Sequence, residues 1–195
     1  MEEKTIRKAR QPSLDRSAWI KGALAALSEE GHAGLRVETL AKRLNVTKGS
    51  FYWHFEDRHD LVGAVLEAWK LGRIADIHKQ TAAPSGKELA ALRHTLEVYS
   101  TSRNRKGLPI ELAVREWANR DTRATAIVAE VDAERMRCTA RLFEKLGASP
   151  AEATARSLLL YAYVFGFSLM RCDHFLPNPA AAKVWIADCI ACVST

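Results

Sequence analysis

Val37, Leu40, Ala41 and Leu44 recur at i, i+3, i+4 and i+7. That spacing lines one face of an α-helix and cannot line one face of a strand. The same period returns along the chain, broken each time by a cap or a turn signal. Asp15 is placed to cap a helix running to about Glu30, with an apolar stripe of Ile20, Leu24 and Leu27. Gly31-His-Ala-Gly34 closes it. After Leu44, Asn45 tolerates a left-handed backbone. Thr47 caps the next helix, on which Phe51 and Phe55 share a face. Asp57, with Asp60 three residues on, starts a helix to about Lys79 through Leu61, Val65 and Trp69. Pro84-Ser-Gly86 breaks the chain, and Leu89, Leu92, Leu96 and Tyr99 form the next stripe. Ser102–Gly107 reads as a loop, followed by helices over Leu108–Asn119 and Asp121–Leu146, the second Arg-rich on its wet side. Gly147–Pro150 restarts the chain into Ala151–Cys172, and Pro177-Asn-Pro179 precedes a last helix over Ala180–Val193. No segment alternates as a strand would, so the expected class is all-α.

Composition narrows the function classes. A chain of 195 residues with 48% hydrophobic and 27% charged residues has the ordinary globular balance. The apolar run Ser157–Met170 is shorter than the roughly 20 residues a bilayer span needs, so it predicts a buried core helix and no membrane role. Met1–Pro12 is polar, without the apolar run of a secretory leader. Cys138, Cys172, Cys189 and Cys192 are scattered, which with that start suits a reducing cytoplasm. The net charge of +6 is a weak pointer to nucleic acid, and no single segment carries it. A DNA-binding reading therefore has to come from a motif.

The motif is Val37-Glu-Thr-Leu-Ala-Lys-Arg-Leu-Asn-Val-Thr-Lys-Gly-Ser-Phe-Tyr-Trp-His-Phe55, two short helices joined by Asn45-Val-Thr47. Ala41 is small where the helices cross, and Val46 plugs the turn. Thr47 leaves helix N–H groups free for a phosphate. With Phe51 and Phe55 inward, Lys48, Gly49, Ser50, Tyr52, Trp53 and His54 face out. Lys and Ser can meet base edges in a major groove, while Tyr and His can meet phosphates. A bare helical hairpin whose aromatics pack on a neighbour would share this pattern.

The run Val46–Phe55, followed by Asp57-Arg-His-Asp-Leu61, resembles the DNA-binding domain of the tetracycline-repressor (TetR) family of bacterial transcription regulators. The resemblance covers about residues 13–73, with the motif at about 36–55. It departs from the family pattern at Asn45, where Gly is usual, at Arg36, where Ser or Thr caps, and at Arg58, where Lys is customary. The resemblance implies that Thr47 and Lys48 contact backbone or bases, that Gly49 admits DNA closely, and that Tyr52 and His54 touch phosphates. Trp53 would sit at a groove wall or a thymine methyl, and Arg58 would reach a flanking phosphate. Residues 1–12, with Lys4, Arg7, Lys8 and Arg10, would form a basic arm.

The resemblance further implies that residues 74–195 bind an effector and dimerise, through Ala151–Cys172 and Ala180–Val193. The partners implied are palindromic operator DNA, a second copy of the chain and a small apolar or aromatic effector. That effector would move the helix Asp57–Lys79 and release DNA, making the chain a repressor. His94, Tyr99, Trp117, Phe143, Tyr161 and Phe165 are its candidate lining, with Arg115 and Glu116 as polar partners. No cofactor and no metal is expected. Cys189 and Cys192 at i, i+3 and Cys172-Asp-His174 lack partners spaced to complete a metal site, and Cys189 and Cys192 are expected to be buried. Glu111, Arg115 and Glu116 read as a surface ion cluster. The alternative class is an all-helical cytosolic enzyme using a His or Cys in its cavity.

Overall fold

The computed structural model describes residues 14–100, 107–170, 175 and 177–192. The basic arm, most of the Ser102–Gly107 loop and Cys172-Asp-His174 fall outside those residues. Tyr99 lies on a described helix, but its side chain is likewise outside the description. Among the described residues all regular structure is helical. In chain order these are α1 (Arg16–Glu30), a 3-10 turn (Gly31–Leu35), α2 (Val37–Arg43), α3 (Lys48–Phe51) and α4 (Arg58–Thr81). There follow α5 (Glu88–Ser100), α6 (Gly107–Ala118), α7 (Thr122–Lys145), α8 (Pro150–Leu169) and α9 (Pro179–Ala191). None of the described helices is long and apolar enough to cross a membrane. The described residues form two compact units that divide between Val65 and Leu66, inside α4.

The first unit is assembled by caps and aromatics. The Asp15 carboxylate accepts from the Ala18 N–H at 2.7 Å and starts α1. The buried face of α1 is Trp19, Ala23, Ala26 and Leu27. That is a correction to the Ile20–Leu24–Leu27 stripe: Ile20 and Leu24 are only half-buried. The indole of Trp19 sets the register, because burying the largest side chain removes the most apolar surface from water. Trp19 meets Phe51 edge-on at 5.4 Å, and Phe51 stacks on Phe55 at 5.2 Å. Gly34 lets the 3-10 turn lie against α1. A Cβ there would sit 2.9 Å from the Ala26 carbonyl oxygen, backbone that cannot swing aside.

The second unit holds a core of Leu92 and Leu96 from α5, Leu142 and Phe143 from α7, Leu160, Tyr161 and Val164 from α8, and Ile190 from α9. Leu89 is partly exposed, so the α5 stripe begins later than its spacing suggested. Thr95 is buried instead, its hydroxyl donating to the Ala91 carbonyl. Gly107 is already helical, as the first residue of α6. Two charged residues are also enclosed. Glu111 of α6 and Arg135 of α7 are each 1% exposed and joined at 2.6 Å. This corrects the reading of Glu111, Arg115 and Glu116 as a surface ion cluster, and it adds one buried arginine to an α7 that is otherwise Arg-rich on its wet side. Arg123, Arg137 and Arg141 do face out. Cys189 and Cys192 are exposed rather than buried, while Cys138 is buried.

Candidate nucleic-acid interface

α2 and α3 form the helical hairpin that the sequence predicts. The Val46 N–H donates to the Ala41 carbonyl at 2.9 Å, and Asn45 takes φ 55° to make the turn. A left-handed residue costs Asn less than most side chains, so Asn serves where Gly is usual. Val37, Leu40 and Ala41 are buried as their spacing requires. Arg36 occupies the N-cap of α2 without a side-chain capping bond, so the start of this helix lacks the usual support.

Thr47 departs from expectation. It holds the N-cap position of α3 with extended backbone, but its hydroxyl makes no capping bond. Ser50 instead donates its hydroxyl to the Thr47 carbonyl at 2.9 Å. α3 is a single turn, continued by turn residues to His54, where the His54 and Phe55 N–H groups both reach the Phe51 carbonyl.

The inward and outward division of this segment follows the sequence. Phe51 and Phe55 are buried. Lys48, Gly49, Tyr52 and Trp53 are exposed, with Ser50 and His54 half-buried. Trp53 is 86% exposed and Tyr52 57%, adjacent aromatics on one turn. Among the described residues a Cβ on Gly49 would meet the Thr47 hydroxyl alone, at 3.8 Å, an ordinary contact, so none of them requires glycine there.

Two cations expected at DNA have partners inside the protein. The Lys48 ammonium pairs with the Glu38 carboxylate at 2.5 Å. The hydrogen bond raises the Lys48 pKa above its ordinary value and lowers that of Glu38. Both groups are exposed, so the pair is weak in water and can open toward a phosphate. Arg58 donates Nε to the Leu35 carbonyl at 3.1 Å, and its Nη2 lies 3.3 Å from His32 Nε2. It thereby ties the start of α4 to the 3-10 turn.

Sequence reasoning missed Arg16. Its Nη1 donates to the His54 carbonyl at 3.0 Å, its Nη2 pairs with Asp60 at 2.9 Å, and its guanidinium lies 4.4 Å from the Phe55 ring centroid. One side chain thus joins α1, the end of the α3 turn and the start of α4. Its partners lie 38 and 44 residues away, beyond any local spacing signal. Asp57 caps α4 through the Asp60 N–H at 2.8 Å, and Asp60 accepts in return from the Glu56 N–H at 3.3 Å.

The candidate effector lining is dispersed. Phe143 and Tyr161 are packed in the core, and Trp117 is buried on α6. Tyr161 and Phe165 stack at 6.4 Å, with the Tyr161 hydroxyl 3.1 Å from that of Thr139. The Arg115 guanidinium lies 4.2 Å from the Phe165 centroid while pairing with Glu111 and Asp132. His94 and Glu116 are exposed. The second unit has a cleft of about 390 Å³ bordered by Leu96, Tyr163, Lys183 and Val184, which none of the described candidate side chains lines.

Residues 20–65 match the family described as bacterial regulatory proteins, tetR family. Over 55 residues the chain is 42% identical to the class C tetracycline repressor protein of Escherichia coli, covering 28% of this chain and 25% of that one. Over 108 residues it is 32% identical to the HTH-type transcriptional regulator AcrR of Shigella flexneri, covering 51% and 49%. The matches thus span a quarter to a half of these relatives' lengths. The fold is similar over most of the chain to a TetR-family member from Streptomyces coelicolor A3, with TM-score 0.64 at 22% identity, covering 91% and 98%. It is also similar to a transcriptional regulator from Rhodococcus sp. Rha1, with TM-score 0.69 at 18% identity, covering 91% and 92%.

Proposed function

We propose that this chain, whose residues 20–65 match the tetR family of bacterial regulatory proteins, belongs to that family and is a sequence-specific DNA-binding transcriptional regulator that represses until a small molecule releases it. The observation that carries the reading is the α2–turn–α3 hairpin with Tyr52 and Trp53 turned outward over a buried Phe51 and Phe55. Large apolar side chains exposed side by side mark a surface built to meet a partner. In this reading α3 enters the major groove. Thr47, Lys48, Gly49 and Ser50 approach base edges and phosphates, Tyr52 and His54 meet phosphates, and Trp53 lies on a groove wall. Arg58 serves the site by positioning α4, and a phosphate contact would require it to leave the Leu35 carbonyl.

The chain acts on a palindromic operator in the bacterial cytoplasm as a homodimer. Leu158 and Leu159 of α8 and Val184 and Trp185 of α9 support this, all exposed on their own unit. Trp185 alone is 69% exposed. Ala162 is also exposed, whereas Val164 is part of the unit's own core. Ala162→Glu therefore tests the dimer, and Val164→Glu tests folding. Two recognition segments related by a two-fold axis would read half-sites about 34–36 Å apart. Residues 1–12 act as a basic arm, 13–73 as the DNA-reading domain and 74–195 as the effector-binding and dimerisation domain. The effector is apolar or aromatic and enters among Trp117, Tyr161 and Phe165, where rings and paired charges lie together. α4 runs unbroken from Arg58 to Thr81 and is the covalent route between the two units. Release would be a population shift set by the ligand's differential affinity for the two states.

Selection of duplex DNA from a random pool tests the proposal. It should return one palindrome bound by a dimer. A pool that stays random after repeated selection at physiological salt would remove the reading.

A further inference from the structure

We propose that His78, Glu134 and Cys138 form a binding site for a zinc-class divalent cation between α4 and α7. The donor atoms of the three side chains lie within 4.8 Å of one another. His78 Nε2 is 2.5 Å from Glu134 Oε1, and Cys138 Sγ is 3.1 Å from the same oxygen. Glu134 and Cys138 are i, i+4 on α7, which sets both on one helical face a turn apart. His78 comes from the last turns of α4, within the same compact unit. Zinc bonds of about 2.0–2.3 Å at tetrahedral angles place neighbouring donors about 3.3–3.8 Å apart. The present spacings reach that range by small rotations of the three side chains.

The donor set also selects the ion. One imidazole, one thiol and one carboxylate match the borderline-soft preference of zinc, and an oxygen-seeking ion such as magnesium would gain little from two of the three. The surroundings push in the same direction. The cleft here, of about 460 Å³, is also lined by Arg137, Arg141 and Lys145, and Arg137 pairs with Glu134. Their charge opposes a hard cation held by electrostatics alone, whereas a metal–thiolate bond has covalent character to set against it. On binding, Cys138 releases its thiol proton to solvent and the sulfur coordinates as thiolate, while Glu134 exchanges Arg137 for the metal. Three protein ligands leave a fourth position for water or a small donor. This site stands on side-chain geometry alone and does not depend on the DNA reading.

The test uses the full chain without DNA, so it is independent of the operator experiment. Cys172, Cys189 and Cys192 are first replaced by Ser, which leaves Cys138 as the single thiol. Zn²⁺ is then titrated by calorimetry and by competition with a chromogenic chelator. We expect one ion per chain, not displaced by millimolar Mg²⁺. Cys138→Ser and His78→Ala should each weaken binding by at least about 100-fold, beyond the 10–100-fold that losing an outer-shell partner costs. His78 is exposed, so its replacement leaves the fold intact even if Cys138→Ser does not. Zn²⁺ affinity unchanged in His78→Ala, or no binding by the Cys138-only protein, would overturn the site.

Discussion

Two regions of this protein reverse the ordinary partition of residues, in opposite directions. Around α3, two large aromatics stand in solvent. Between α6 and α7, a carboxylate and a guanidinium are sealed from it. The inward reversal is answered inside the chain. Glu111 accepts from Arg135 and Arg115, and Arg135 also reaches Asp132 at 2.8 Å. Partial burial pushes the Asp132 carboxyl up, and the Arg115 and Arg135 guanidiniums together outweigh it and hold it below its ordinary value. Among the described residues the outward reversal has no such answer. Tyr52 touches Phe51 edge-on at 5.2 Å, and Trp53 is almost wholly open to water. The buried charges are paired inside the protein, whereas the two aromatics present open apolar surface.

The sharpest way to break that comparison is to remove one partner of the buried pair. Glu111→Ala should destabilise the protein by up to about 3–5 kcal/mol, because the enclosed Arg135 loses its buried two-point partner, with the half-exposed Asp132 still beside it. Replacing both partners by apolar residues, Glu111→Met with Arg135→Leu, should cost far less, since no uncompensated charge remains. Chemical denaturation of the two variants reads the difference. If the double variant loses as much as the single, the pair is not the cause.

The outward region should respond in the reverse manner. Trp53→Ala should leave stability within about 0.5 kcal/mol of the parent, as surface changes do. It should nevertheless weaken binding to the selected operator. Tyr52→Phe should weaken all DNA sequences alike by about 0.5–1.5 kcal/mol, the worth of one hydrogen bond to phosphate. Lys48 and Ser50 variants should also change base preference. A Trp53→Ala protein that melts much earlier than the parent would make Trp53 a structural residue.

Smaller effects sharpen the picture. Asp57→Ala should cost about 1 kcal/mol through the lost α4 cap, read as a lower midpoint in urea. Glu134 gives a pH dependence. Its carboxyl is held at about 2, below the ordinary 4.5, first by the hydrogen bond from Arg137 and then by that from His78. A lowered folded-state pKa stabilises the protein above pH 4.5, and that contribution is lost as pH falls from 4.5 through about 2. Melting temperatures at pH 6 and pH 3 should therefore differ more for the wild type than for Glu134→Gln.

The two regions were unequally legible in the sequence. The hairpin could be read because its signals are local. The Val37–Leu44 spacing, Asn45 at the turn and the Phe51–Phe55 pair each involve residues within one or two turns. The all-helical class followed from the same periods and from caps such as Asp15 and Asp57. The buried pair could not be read, because Glu111 and Arg135 are 24 residues apart and each looks locally like a wet-side charge. The long-range contacts of Arg16 and Arg58 and the His78–Glu134 contact were hidden for the same reason. The α1 stripe slipped by one residue because Trp19 outweighs Ile20 when only one can be buried. Thr47 was read as a cap because the residue type prefers that role, yet its hydroxyl makes no such bond in this short turn.

The central claim is that the α3 segment reads sequence. The most direct measurement compares dissociation constants, at one physiological salt concentration, for the selected palindrome and for bulk duplex DNA. A segment that reads sequence should prefer the palindrome by at least about 10³-fold, the lower range for specific recognition. Equal affinity for the two would contradict it.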